Sequence, residues 1–154
     1  MLFRSGLISG PVHAELRINR AGPWVIEVAA RPIGGLCSRA LRFQGDRSLE
    51  ELILMHALGQ DTHEIERDSQ AAGVMMIPIP RAGILTAVHG IDRARETPDI
   101  EDIIITAHIG QEVLPPPEGA AYLGFIFSRA TEPDGAETAL RQSHALLEFV
   151  IEEE

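Results

Sequence analysis

The chain has 154 residues, 45% of them hydrophobic, enough to bury a core as one domain or two small ones. Its formal charge is −10, and the 13 basic residues, all arginines, are scattered, which disfavours a nucleic-acid partner. No apolar run reaches the ~18 residues needed to span a bilayer, and no long apolar stretch follows Arg4, so neither a membrane partner nor a secretory signal is expected. Cys37 is the single cysteine, which removes a disulfide framework and points to a reducing, cytoplasmic setting.

The chain reads as two blocks, 1–60 and 71–154, joined by a polar linker or surface loop over 61–70. Pro11 to Asn19 alternates, with Val12, Ala14, Leu16 and Ile18 against His13, Glu15, Arg17 and Asn19. Trp24 to Arg31 alternates too, with Trp24, Ile26, Val28 and Ala30 against Val25, Glu27, Ala29 and Arg31. Arg20-Ala21-Gly22 between them suits a three-residue hairpin loop with glycine last. That loop pairs Asn19 with Pro23, and Glu15 with Glu27 farther back. Helical spacing of Leu36, Ala40 and Phe43 predicts a helix from near Gly35. A second helix starts at the capping box Ser48/Glu51, continues through Leu49, Leu52 and Ile53, and stops at Gly59.

The second block predicts strands at Val74–Ile79, Ile84–His89, Asp102–His108, Tyr122–Ser128 and Phe149–Ile151. A short helix follows the second strand, and a long one is capped by Thr131 and Asp134, with Ala136, Leu140 and Leu147 inward. Pro78 and Pro80 push the first strand to a sheet edge. The block is α+β and reads as packing rather than chemistry. Glu152-Glu153-Glu154 reads as a solvated tail.

Chemistry concentrates on the hairpin. Opposed residues hold their Cβ atoms roughly 4.5–5.5 Å apart, so Glu15 and Glu27 repel unless something neutralises them. A divalent cation with a taste for hard oxygen ligands would do so, magnesium first and manganese next. The plainer alternative is a solvated face on which Arg17 pairs with either acid. Arg31, two pleats beyond Glu27, could hold a phosphate or carboxylate. Gly34-Gly35 would present backbone amides to an anion, or serve only as a turn. His13 reads as a structural histidine and His56 as a partner of helix C-terminal carbonyls. His63, His89, His108 and His144 have no zinc-like spacing, and Cys37 and Met75-Met76 read as core filling.

Gly10-Pro11-Val12-His13-Ala14-Glu15-Leu16-Arg17 and Val25-Ile26-Glu27-Val28-Ala29-Ala30-Arg31-Pro32-Ile33-Gly34-Gly35 resemble the distal half of an ATP-grasp domain. Residues 73–80 and 122–127 are similar to the C-terminal domain of L-amino acid ligases. The resemblance implies that Glu15 and Glu27 bind magnesium bridging ATP phosphates and that Arg31 contacts the transferring group. Gly34 and Gly35 would touch the acyl acceptor or the phosphate. It implies ATP as co-substrate and small carboxylates and amines, amino acids among them, as partners, joined through an acyl phosphate. Ala29 stands where many relatives carry a metal-binding asparagine, which puts a second magnesium in doubt. The lysines and glycine-rich loop that hold nucleotide in such enzymes have no counterpart here, and Met1-Leu2-Phe3-Arg4-Ser5 reads as an arbitrary beginning. The expectation is a C-terminal portion of a ligase, inactive alone. The alternatives are a non-catalytic interaction or lid module and a stand-alone metal hydrolase.

Overall fold

The computed structural model describes Gly6, residues 8–119 and residues 121–153. The Met1–Ser5 start and Glu154 of the acidic tail lie outside the described residues. The chain divides into two compact units, one ending at Asp68 and one beginning at Ser69.

The first unit opens with an antiparallel hairpin of β1 (His13–Asn19) and β2 (Gly22–Ala29). Asn19 Oδ1 accepts from the amide of Ala21 at 2.8 Å, closing the turn around Arg20 and Ala21. Gly22 carries the chain out of it at φ +110°, a conformation other residues avoid. The helix expected from Gly35 is not formed. A short 3-10 turn at Cys37–Ala40 replaces it, and Leu41 is already extended. The cause is non-local. The amides of Gln44 and Asp68 donate to the carbonyls of Glu66 and Arg42, so residues 42–44 are committed to residues 66–68 and cannot wind. Those bonds stitch the end of the polar 61–70 stretch to the first unit. The second helix follows its signals: α1 runs Leu49–Ala57, Ser48 Oγ accepts from the Glu51 amide at 3.1 Å, and Gly59 follows its end. The exposed Glu50 carboxyl in its first turn is held below its ordinary value. A hydrogen bond with Ser38 contributes most, then its own backbone amide and Ser48.

The second unit contains two three-stranded antiparallel sheets. Strands β3 (Ala71–Ile77), β7 (Gly124–Ala130) and β5 (Ile100–Ile105) form the first in the order β3-β7-β5. Strands β6 (Glu112–Val113), β4 (Gly83–His89) and β8 (Glu148–Glu152) form the second in the order β6-β4-β8. β3 is an edge strand and stops before Pro78, as its prolines require. Two helices complete the unit, α2 (Ile91–Arg95) and α3 (Pro133–His144), with α3 packed on β3 and β7. The core joins Ile77, Leu85, Ile103, Leu123, Ile126 and Ile151, each 0–1% exposed. Strand β7 forms the hub because it has a partner on each side and a helix on one face.

Three expectations need correction here. The N-cap of α3 is Glu132, and no side chain caps it. Leu147 lies beyond the helix end, although it still packs against the core. Met75 fills the core margin, whereas Met76 is 42% exposed, because adjacent strand residues point to opposite faces.

Candidate metal and phosphate site

The hairpin register brings Glu15 directly opposite Glu27, by a route different from simple counting. Asn19 pairs with Gly22 instead of Pro23, one residue tighter than a three-residue loop requires. Leu16 pairs with Val25, and a bulge then leaves Ile26 as the extra residue, which restores the acid pair. The bulge also resorts the faces. Opposed residues share a face, so Trp24, paired with Arg17, joins His13, Glu15, Asn19 and Glu27. Strict alternation had placed Trp24 on the opposite side. Its Nε1–H donates to Asn19 Oδ1 at 3.3 Å, consistent with the shared face. The other face carries Leu16, Ile18 and Val25, and Ile18 is 80% exposed.

Electrostatically the site is under-neutralised. His13 Nε2 lies 3.4 Å from Glu15 Oε1, so this ring sits on the carboxylate rather than in a core. Among the described residues Arg17 makes no ion pair with either acid, and Glu27 has no side-chain partner. The Arg31 guanidinium folds back to donate to the carbonyl of Pro32 at 3.1 Å. A Cβ on Gly34 would stand 3.7 Å from Arg31 Nη1, so this glycine lies beside the guanidinium. Gly35 turns the chain at φ +63° into the 3-10 turn. The expected pairs therefore form two neighbourhoods, Glu15 with Glu27 across the β1–β2 ladder and Arg31 with Gly34 just past the end of β2.

The donor set fits a phosphate-bound divalent cation better than a protein-caged one. Among the described residues no three histidine, cysteine, aspartate or glutamate side chains converge. The two carboxylate groups of Glu15 and Glu27 remain as hard oxygen donors, with Ala29 offering none, and magnesium is commonly held by one or two carboxylates plus substrate phosphates. A structural zinc site would need about four nitrogen or sulfur ligands and is not provided for.

A contact that sequence reasoning missed lies elsewhere in the first unit. His56, in the last turn of α1, hydrogen-bonds through Nε2 to Ser9 Oγ at 2.6 Å, instead of turning to helix carbonyls. The partners are 47 positions apart, and no local pattern announces them.

Residues 75–152 match the family described as L-amino acid ligase C-terminal domain 2. The chain belongs to that family. Among solved structures, an L-amino acid ligase from Bacillus licheniformis superposes with a TM-score of 0.78 at 25% identity, over 96% of this chain and 38% of that one. A phosphoribosylglycinamide synthetase from Anaerococcus prevotii superposes with a TM-score of 0.72 at 14% identity, over 92% and 37% of the two chains. An uncharacterised protein, y4rH, from Sinorhizobium fredii is 25% identical over 146 residues, covering 95% of this chain and 30% of its own. The chain thus spans about a third of the length of the relatives it matches. These structural neighbours are ATP-grasp ligases, and the mixed α+β architecture of this L-amino acid ligase family member corresponds to their C-terminal region. Among the described residues no helix is long and apolar enough to cross a membrane.

Proposed function

We propose that this chain carries the magnesium- and phosphate-binding hairpin of an ATP-dependent carboxylate–amine ligase, with amino acids as the substrate class. The observation that carries the reading is the register placing Glu15 opposite Glu27 with no cationic side chain of the hairpin paired to Glu27. Residues up to about 60 belong to the distal part of the nucleotide-binding domain, and residues 71–154 form the C-terminal domain that follows it. In such a reaction a carboxylate oxygen attacks the terminal phosphorus of ATP and ADP departs. The acyl phosphate is then attacked by an amine, which loses a proton as phosphate leaves and an amide forms.

In this reading each residue has a distinct task. Glu15 and Glu27 hold magnesium, which supplies charge neutralisation to the phosphates. Arg31 leaves the Pro32 carbonyl and donates to the transferring phosphoryl group or the acyl phosphate, where its fork suits two oxygens. Gly34 and Gly35 keep the backbone low beside it, so that their amides reach the phosphate or the acceptor carboxylate. His13 orients the Glu15 carboxylate from its 3.4 Å contact.

Calorimetric titration of the purified chain with magnesium and ATP, or with inorganic tripolyphosphate, tests the reading. Binding should require magnesium and weaken at least about tenfold in Glu15→Gln and in Glu27→Gln, because each removes one charged ligand. Arg31→Ala should weaken polyphosphate binding while leaving the response to magnesium alone unchanged. Magnesium-independent binding, or binding indifferent to both glutamates, would refute the assignment.

A further inference from the structure

The second unit contains a cavity of ≈ 680 Å³ at the turn from β4 into α2. Its apolar wall is Val88, Ile91 and Ile105, all half-buried. Its rim carries charges of both signs: Asp92, Arg93 and Arg95. The scaffold beneath is fixed. Ala94 is fully buried, and its carbonyl accepts from Ser143 Oγ of α3 at 3.0 Å. One end of Arg95 is committed to the Ile103 carbonyl at 2.9 Å. Asp92 and Arg93, by contrast, make no ion pair or side-chain hydrogen bond among the described residues. Although they are neighbours on a one-turn helix, they do not neutralise each other.

We propose that this cavity binds a free α-amino acid with an apolar side chain, Arg93 taking the carboxylate and Asp92 the ammonium. The charge pattern selects this class. A simple anion meets Asp92 and a chain of net charge −10, and a simple cation meets two arginines. A zwitterion satisfies both rim charges at once, with Arg95 strengthening the carboxylate side, and its side chain covers Ile91 and Ile105. His89 also lines the cavity and stands opposite Glu148 in the β4–β8 ladder. The site lies wholly in the second unit and owes nothing to the Glu15–Glu27 hairpin.

The test is a two-dimensional amide NMR titration of the full chain with leucine. Two truncated analogues accompany it: 4-methylpentanoate, which lacks the ammonium, and 3-methylbutylamine, which lacks the carboxylate. Leucine should produce saturable shifts at the amides of Gly90, Ile91 and Ile105. Each analogue should bind about tenfold more weakly, the loss expected for one charge-assisted hydrogen bond. Asp92→Asn should reduce leucine binding to the level of 4-methylpentanoate, and Arg93→Gln to that of 3-methylbutylamine; both positions are exposed, and the same spectra report whether the fold is kept. Shifts confined to residues 13–31, absence of saturation, or equal binding of leucine and 4-methylpentanoate would overturn the proposal. Loss of magnesium binding at the hairpin would not affect it.

Discussion

Replacing Glu27 with glutamine should stabilise the metal-free hairpin and, in the same step, abolish its response to magnesium. The pair is directly opposed, and both residues are exposed, so the interaction runs through water. With carboxylates about 5 Å apart, the Coulomb repulsion in a medium of dielectric ~80 is about 0.8 kcal/mol. Screening reduces this to about 0.7 kcal/mol at ~0.01 M salt and about 0.4 kcal/mol at ~0.15 M. Urea unfolding at pH ~8, above the ordinary imidazole range, keeps histidine charge out of the comparison. Trp24 is the single tryptophan and shares the face of the two acids, so its emission reports this hairpin. For a slope of about 1–1.5 kcal/mol/M, the low-salt midpoint of Glu27→Gln should exceed that of the parent by about 0.5 M. Adding millimolar magnesium should raise the parent's midpoint and leave the variant's in place. A variant no more stable than the parent at low salt, or a gap that does not narrow with salt, would refute the electrostatic reasoning.

Two further outcomes follow from the fold. Gly90→Ala should destabilise the second unit by about 3 kcal/mol, because a Cβ there would lie 1.9 Å from the Leu146 carbonyl oxygen at a residue with φ +83°; thermal unfolding would show it, and a loss under about 1 kcal/mol would count against the geometry. Ser38→Ala should flatten the acid limb of the stability profile. The folded state holds the Glu50 carboxyl below its ordinary 4.5, so its contribution is present above that value and is lost as pH falls through the lower, folded one. Removing the Ser38 hydroxyl, the largest cause, narrows the gap between the two values, so the stabilities of the two proteins should stand apart above about 4.5 and converge as pH falls below it.

Legibility in the sequence followed the range of the interaction that decides each element. Ser48 and Glu51 announced α1 because the bond that starts it spans three positions. The edge position of β3 was readable from Pro78, which cannot donate to a ladder. The helix expected over Leu36, Ala40 and Phe43 failed because Phe43 is bridged to Arg67, a pairing that apolar spacing does not encode. The opposed glutamates were reached by counting from a loop one residue too long, and the pair holds only because the bulge at Ile26 offsets the tighter turn. The identity of their neighbour was not readable, since nothing in GPWVIEVA marks Ile26 as the bulged residue. The charged cavity of the second unit was invisible for the same reason as the Ser9–His56 bond. Val88 and Ile105 meet there only after two strands from different sheets have been placed.

The bulge at Ile26 makes the spacing of the two acids a degenerate signal. A loose loop with an unbroken ladder and a tight loop followed by one extra residue deliver the same acidic pair from the same number of intervening positions. They differ in what accompanies that pair: the first presents residue 25 to the cation side, the second presents residue 24. In this chain the second arrangement exchanges an aliphatic valine for an indole beside the carboxylates. A family can thus hold its ligand geometry constant while retuning the polarity and reach of the adjoining surface, by moving one residue between loop and strand without altering the motif's length.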